Sequence, residues 1–95
     1  MSDADLLIIV KLSLAVNSSA FDEYLLSLIQ ASREMISREG IDLADTPEDN
    51  NLIVMHTAYL WRKRAEDNPV MPRMLRYALN NRLFSQQAGR SGDAV

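Results

Sequence analysis

The stretch that most constrains the fold lies in the middle of the chain, from Asn51 to Arg64. Its apolar residues follow helical spacing on one face and form a second stripe on another. The first face carries Leu52, Met55, His56, Tyr59 and Leu60, and the second carries Val54, Ala58, Trp61 and Ala65. A helix that is apolar nearly all round must be covered on more than one side, so we expect it at the centre of a helical bundle. The run is too short to span a membrane.

Capping signals predict three helix starts, at Ser2, Ser19 and Thr46. Ser2 and Ser19 are each followed three residues later by an aspartate, which is the spacing of a capping box. Thr46 precedes Pro47, and proline suits a first helical turn because its missing N–H would have no partner there. Gly40 supplies a C-terminal stop. The predicted helices cover about residues 3–14, 19–39 and 47–65.

The first of these segments also fits a strand. From Ile8 to Val16, its apolar residues alternate with period two. A lone strand needs a partner, and no second strand candidate follows along the chain. A helix is therefore favoured for this segment.

The last quarter of the chain predicts a fourth helix and a flexible tail. Pro72 permits a helix start, and an apolar stripe follows it over about residues 72–84. The stripe consists of Met74, Leu75, Ala78, Leu79 and Leu83. Residues 85–95 are polar and contain two glycines, so they are expected to be flexible. The predicted fold is all-α: a small antiparallel bundle of about four helices in residues 1–84, with a flexible C-terminal tail at 85–95.

Charge is divided unevenly along the chain. The net charge is −3, but residues 1–50 carry ten acidic and three basic residues, whereas residues 51–95 carry seven basic and three acidic ones. An acidic total argues against a general nucleic-acid binder. The asymmetry indicates either solvated helix faces or an acidic half of one subunit that faces the basic half of the next. The candidate subunit-interface residues are Asp22, Glu23, Asp45, Glu48, Asp49, Tyr59, Trp61, Arg62, Arg64, Arg73 and Arg76.

Few residues offer catalytic or metal-binding chemistry. The chain has no cysteine and one histidine, which excludes a thiolate or histidine-rich metal site. That residue, His56, lies on the apolar stripe with no nucleophile or carboxylate on the same face. We interpret it as a packed, hydrogen-bonded histidine of the core or an interface. The acidic residues at 42–49 lack the spacing of a calcium loop. The sequence therefore predicts no catalytic, metal or cofactor site, and no enzyme.

The basic run at 62–64 has two interpretations. It can bind phosphate or an acidic partner, or it can be a solvated helix end that the helix dipole favours. Consecutive helical residues point in different directions, so these three cannot form one patch by themselves. Three aromatic residues at helical spacing are interpreted as core or subunit interface rather than as base-stacking groups: Tyr59, Trp61 and Tyr77.

Three segments of the chain resemble the head–tail connector proteins of long-tailed bacteriophages and prophages, also called head-completion or adaptor proteins. They are Leu-Ser-Leu with Phe-Asp-Glu-Tyr-Leu-Leu-Ser-Leu-Ile-Gln-Ala-Ser-Arg, then Tyr-Leu-Trp-Arg-Lys-Arg at 59–64, then Met-Pro-Arg-Met-Leu-Arg-Tyr-Ala-Leu-Asn-Asn-Arg at 71–82. The resemblance covers about residues 4–84. It implies an all-helical subunit that forms a closed ring of about a dozen copies beneath the portal.

The resemblance also implies the partners of such a ring. The ring extends the channel through which DNA passes without specific binding, and it joins the portal to a head-closure or tail protein. The subunit is made in the bacterial host cytoplasm and ends at the head–tail junction of the virion, with no cofactor and no membrane. The C-terminal part contacts the portal, and its candidate residues are Leu83, Phe84, Ser85, Gln86, Gln87 and Arg90.

Two other classes remain open. One is a small dimeric helical DNA-binding or regulatory protein, although the loop between the second and third predicted helices is long for a helix-turn-helix. The other is a small enzyme subunit or an adaptor with a protein client. A secretory signal is not expected, because the N-terminus is acidic and the apolar run at 6–10 is short.

Overall fold

A computed structural model describes residues 1–67 and 69–93, together with the side chains of 1–67 and 69–89. The described chain forms four α-helices and no strand, so the all-α prediction is confirmed. The helices are α1 (Asp3–Leu14), α2 (Asp22–Arg38), α3 (Pro47–Lys63) and α4 (Arg73–Asp93), with a short 3-10 turn at Ser19–Phe21. The strand alternative for the first segment is wrong, because α1 is helical over its whole predicted length.

Two of the three predicted helix starts have the predicted caps. The Ser2 hydroxyl accepts a hydrogen bond from the Asp5 N–H, and the Asp5 carboxylate accepts one from the Ser2 N–H. The Thr46 hydroxyl accepts from the Asp49 N–H, and Pro47 is the first residue of α3. These bonds satisfy N–H groups that have no partner inside the helix.

The predicted capping box at Ser19 is wrong. Ser18 caps the 3-10 turn instead, by accepting a hydrogen bond from the Ala20 N–H, and α2 has no side-chain cap. The aspartate that would complete the box, Asp22, lies 2.8 Å from the ammonium of Lys11. An ion pair to α1 therefore takes the place of the local cap.

The third helix, α3, lies at the centre of the bundle, as its two apolar faces predict. It packs against α1, α2 and α4. Its buried residues are Asp49, Leu52, Ile53, Val54, His56, Thr57, Ala58 and Leu60. The molecule is 18 Å thick in its shortest dimension, which is close to two helix diameters of about 10 Å each. The three outer helices therefore keep one face at the surface.

The last helix is longer than predicted, because α4 ends at Asp93 and not near residue 84. The side chain of Gln86 explains part of the extension. Its Oε1 accepts a hydrogen bond from the Asp42 N–H at 2.7 Å, and its Nε2 donates one to the Gly40 carbonyl at 2.8 Å. Extending a helix that has already formed also costs less than starting one. The predicted boundary between helix and tail is therefore too early. Residues 94 and 95, the end of the predicted tail, lie outside the described residues.

The apolar stripe predicted for α4 is only partly inside the protein. Leu75 and Leu79 are buried, whereas Met74 is mostly exposed. Gly40, the predicted stop of α2, has a φ of 98°, which places it in the left-handed region that glycine adopts without strain. A side chain at this position would also meet Leu83 of α4.

Candidate interaction surfaces

The most buried ion pair in the described chain joins α4 to the first turn of α3. Arg82 donates to both carboxylate oxygens of Asp49, at 2.6 and 3.1 Å, and the Ala44 N–H donates to the same carboxylate at 2.7 Å. Asp49 is 1% exposed. Burial alone would raise the pKa of Asp49, but the hydrogen bonds from Arg82 and Ala44 outweigh it and the pKa is lowered.

Further ion pairs join other helices of the same chain. Arg76 of α4 makes a two-pronged contact with Glu39 at the end of α2, at 2.7 and 3.0 Å. The hydrogen bond to Glu39 raises the pKa of Arg76. Between α1 and α2, the guanidinium of Arg33 lies 2.8 Å from the Asp3 carboxylate.

These pairs change the interpretation of the charge asymmetry, because the acidic half meets the basic half within one subunit. Asp49, a candidate interface residue, has its carboxylate buried and bound by Arg82 within the subunit. Three more interface candidates form intrachain pairs: Asp22 with Lys11, Asp45 with the N-terminal ammonium, and Arg76 with Glu39. In the described part of the chain, the candidates with no ion pair are Glu23, Glu48, Arg62, Arg64 and Arg73.

An aromatic cluster covers one end of α3. The rings of Phe21 and Trp61 pack in a T-shaped arrangement at a centroid distance of 5.2 Å, and the Tyr24 ring centroid lies 6.1 Å from that of Trp61. The Arg64 guanidinium lies 3.7 Å from the Trp61 ring centroid, close enough for a cation–π contact. Trp61 is therefore half-buried inside one subunit, and Arg64 is held against it. Tyr77, in contrast, is an exposed residue of α4.

The single histidine belongs to a buried polar cluster. His56 Nδ1 lies 2.9 Å from the Ser32 hydroxyl, which lies 3.2 Å from the Thr57 hydroxyl. Thr57 also donates to the Ile53 carbonyl at 2.7 Å, which ties the cluster to the backbone of α3. Burial lowers the pKa of His56. Because Ser32 and His56 are both buried, this pair packs the core and does not present a nucleophile to solvent.

The outer face of α1 is apolar and exposed. Ile8 and Leu12 lie opposite the buried residues Leu6 and Val10, and Leu12 is 77% exposed. Asp5 continues the same stripe toward the start of the helix. We name the stripe of Asp5, Ile8 and Leu12 the α1 ridge. This surface was not predicted from the sequence. Its signal was the period-two alternation from Ile8 to Val16, because residues two apart lie on nearly opposite faces of a helix.

A groove runs along α3 beside this ridge. Its floor is formed by Asn51, Val54, Ala58 and Arg62, and its walls include Ser13 of α1 and Met74 of α4. We name these six residues the α3 groove. The cavity at this place measures about 250 Å³, and a second cavity of about 480 Å³ continues from Asn51 and Val54 toward the start of α3.

The candidate portal-contact residues divide into two groups. Leu83 packs against the core and Gln86 is bonded to the loop after α2, so both are used within the subunit. Phe84, Ser85 and Gln87 are exposed on α4. The side chain of Arg90 lies outside the described residues.

Over the part of the chain that the structure describes, no group of three or more His, Cys, Asp or Glu side chains is arranged to hold a metal ion. None of the helices described is long and apolar enough to cross a membrane. Comparison with protein-family models, with curated proteins and with solved structures finds no match to this chain.

Proposed function

We propose that this chain is a structural subunit of a phage or prophage head–tail connector. In this role, about a dozen copies form a closed ring beneath the portal. The ring extends the DNA channel, lets DNA pass without specific binding, and joins the head to a tail or head-closure protein at the head–tail junction of the virion. The subunit acts by assembly and performs no catalytic step.

The observation that supports the proposal is apolar surface exposed on two separate helices. The ridge on α1 carries Ile8 and Leu12, and the outer face of α4 carries Tyr77 and Phe84. Exposed apolar surface of this kind is typical of a chain that contacts other proteins. A ring subunit needs a surface for its neighbours and another for the portal or the tail, so two such faces fit it better than one.

The positions of the quoted segments agree with this division. Residues 59–64 form the end of α3, and residues 71–82 lead into α4 and form its first half. Both segments adjoin the α3 groove through Arg62 and Met74. Two of the three segments that resemble connector proteins therefore lie beside a surface that is open to a partner.

A DNA-binding role is less well supported by the arrangement of charge. Arg76 and Arg82 are paired with carboxylates of the same chain, which reduces the basic surface available to phosphates. The connection between α2 and α3 spans residues 39–46, longer than the tight turn of a helix-turn-helix.

The test is binding to the portal protein that is encoded beside this chain. We expect the full-length protein to cosediment with portal rings or portal-bearing heads, and Phe84→Ser to weaken that binding. The matched control is Val70→Ser, because Val70 is 78% exposed and Phe84 is 73% exposed. A protein that binds no portal, or a gene with no portal or tail gene near it, would contradict the proposal. Salt-sensitive binding to duplex DNA would favour the regulator instead.

A further inference from the structure

The α1 ridge is a projecting apolar surface, and the α3 groove is a recess beside it. The ridge projects two large apolar side chains, Ile8 and Leu12, from a face of α1 that packs on nothing in the described chain. The groove has an apolar floor at Val54 and Ala58, which are themselves only 7% and 5% exposed, and its wall residue Met74 is mostly exposed. Docking would remove from water the exposed apolar atoms of Ile8, Leu12 and Met74.

We propose that the α1 ridge of one copy docks in the α3 groove of a second copy. The inference rests on the proposed function in taking the partner to be another copy of this chain, and it names the surfaces through which neighbours meet. The docked helix runs antiparallel to α3, with Asp5 of the ridge opposite Arg62 of the groove.

The spacing of residues along the two helices supports this register. At a rise of about 1.5 Å per residue, Ile8 and Leu12 lie about 4.5 Å and about 10.5 Å from Asp5 along the axis of α1. On α3, Ala58 and Val54 lie about 6 Å and about 12 Å from Arg62. Ile8 therefore meets Ala58, and Leu12 meets Val54, when the two charged ends are paired.

The charges at the ends of the two surfaces fix the direction. Arg62 is exposed and has no ion pair within the described chain, and the Asp5 carboxylate is bonded only to the N–H of Ser2 at its own helix start. A docked ridge gives each charge an opposite partner at the edge of the contact. Such rim pairs orient an association more than they strengthen it, while the apolar residues supply most of the affinity.

The geometry also limits the assemblies that can form. Ridge and groove lie on the same subunit and are different surfaces, so a contact from each copy to the next is heterologous. It gives a ring if the rotation between copies closes and a filament if it does not. The same two surfaces used reciprocally would close a twofold dimer. These arrangements differ in the number of copies. The measured size of the particle therefore shows whether the docking contact builds the ring that the proposed function requires.

The first experiment compares two exposed apolar positions by sedimentation of the full chain. Leu12→Ser should weaken self-association at least about tenfold, because the side chain leaves the contact. Phe84→Ser, at a similarly exposed position on α4, should leave self-association unchanged. Thermal melts confirm that both variants fold. A folded Leu12→Ser protein that assembles like the unaltered chain overturns the proposal. An unaltered chain that stays monomeric, both alone and when portal rings are present, also overturns it.

The second experiment tests the register by charge exchange and by cross-linking. Arg62→Glu and Asp5→Lys should each weaken association, and a mixture of the two variants should recover it. Arg38→Glu, at the exposed end of α2, is the control and should have no effect. Because the chain has no cysteine, a mixture of Ile8→Cys and Ala58→Cys copies should form a disulfide between chains, whereas Ile8→Cys with Tyr77→Cys should not. Equal cross-linking of both mixtures overturns the proposed register.

The outcomes separate this inference from the proposed function. A disulfide between Ile8→Cys and Ala58→Cys copies in a closed dimer that ignores the portal supports the docking contact and contradicts the connector role. A ring that binds the portal but is unaffected by Leu12→Ser supports the connector role and overturns the docking contact.

Discussion

Arg82, within α4, donates two hydrogen bonds to the buried carboxylate of Asp49, which lies 33 residues earlier at the start of α3. The same carboxylate lies near the N-terminus of α3, where the helix dipole favours a negative charge. The Asp49 side chain thus binds both the backbone before α3 and Arg82 of α4, and so it holds the last helix against the start of the central one. This explains why a helix with few apolar residues holds a defined position.

Removing the arginine should destabilise the protein strongly. In Arg82→Ala, the Asp49 carboxylate stays buried without its cation, and a buried charge that has lost its partner costs several kcal/mol. Because the arginine is partly exposed and water can replace it in part, we expect a loss of about 2–4 kcal/mol in the free energy of unfolding. Urea unfolding followed by circular dichroism measures this. Arg73→Ala, at an exposed residue without an ion pair, should change stability by less than about 0.5 kcal/mol.

The buried histidine should make stability depend on pH near neutrality. Burial lowers the pKa of His56 in the folded protein, so the unfolded chain binds more protons as the pH falls below the ordinary value of 6.5. Stability is therefore complete above pH 6.5 and decreases as the pH falls toward the folded-state pKa. Urea midpoints between pH 7.5 and pH 5 measure this decrease. In His56→Gln the decrease over this interval should disappear; an identical slope in the variant would assign it to other groups.

The sequence predicted the parts of the fold that local chemistry decides. The start of α1 follows from Ser2 and Asp5, the start of α3 follows from Thr46 and Pro47, and the end of α2 follows from Gly40. In each case the donor, the acceptor or the special backbone conformation lies within a few residues of the boundary. Such signals can be recognised in a single sequence.

The sequence could not predict contacts between distant residues. Asp49 has the position of an ordinary first-turn acid, and only the packing of α4 shows that it is buried against Arg82. The same limit applies to Asp22, whose ion pair with Lys11 replaces the expected cap. Both carboxylates were candidates for a subunit interface, but tertiary contacts use them inside the subunit.

A glycine at the end of α1 should stabilise the protein. Ala15 has a φ of 56°, and it ends α1 in the left-handed region, where a Cβ atom is strained. Its N–H bonds to the Leu12 carbonyl, so the conformation is held by the helix end. Ala15→Gly should raise the free energy of unfolding by about 0.5–1 kcal/mol, because the strain removed exceeds the added freedom of the unfolded chain. A matched change inside α2, Ala31→Gly, should lower stability by a similar amount. A lowered thermal midpoint in Ala15→Gly would contradict this account.

Shortening α4 should separate its role within the subunit from a role in binding the portal. Truncation after Phe84 removes Gln86 and its bonds to Gly40 and Asp42, so we expect a loss of about 1–2 kcal/mol in the free energy of unfolding. Gln86→Ala in the full chain should reproduce most of that loss. Gln87→Ala, at an exposed neighbour, should leave stability unchanged.

Portal binding by the same variants then decides what the end of α4 does. If Gln86→Ala folds and binds portal rings normally while the truncated protein folds and does not, residues beyond Phe84 contact the portal. If both bind normally below their thermal midpoints, the end of α4 only fastens the loop after α2 to the bundle. The prediction of a portal contact at Ser85 and Gln87 would then be wrong, because their removal would have cost stability alone.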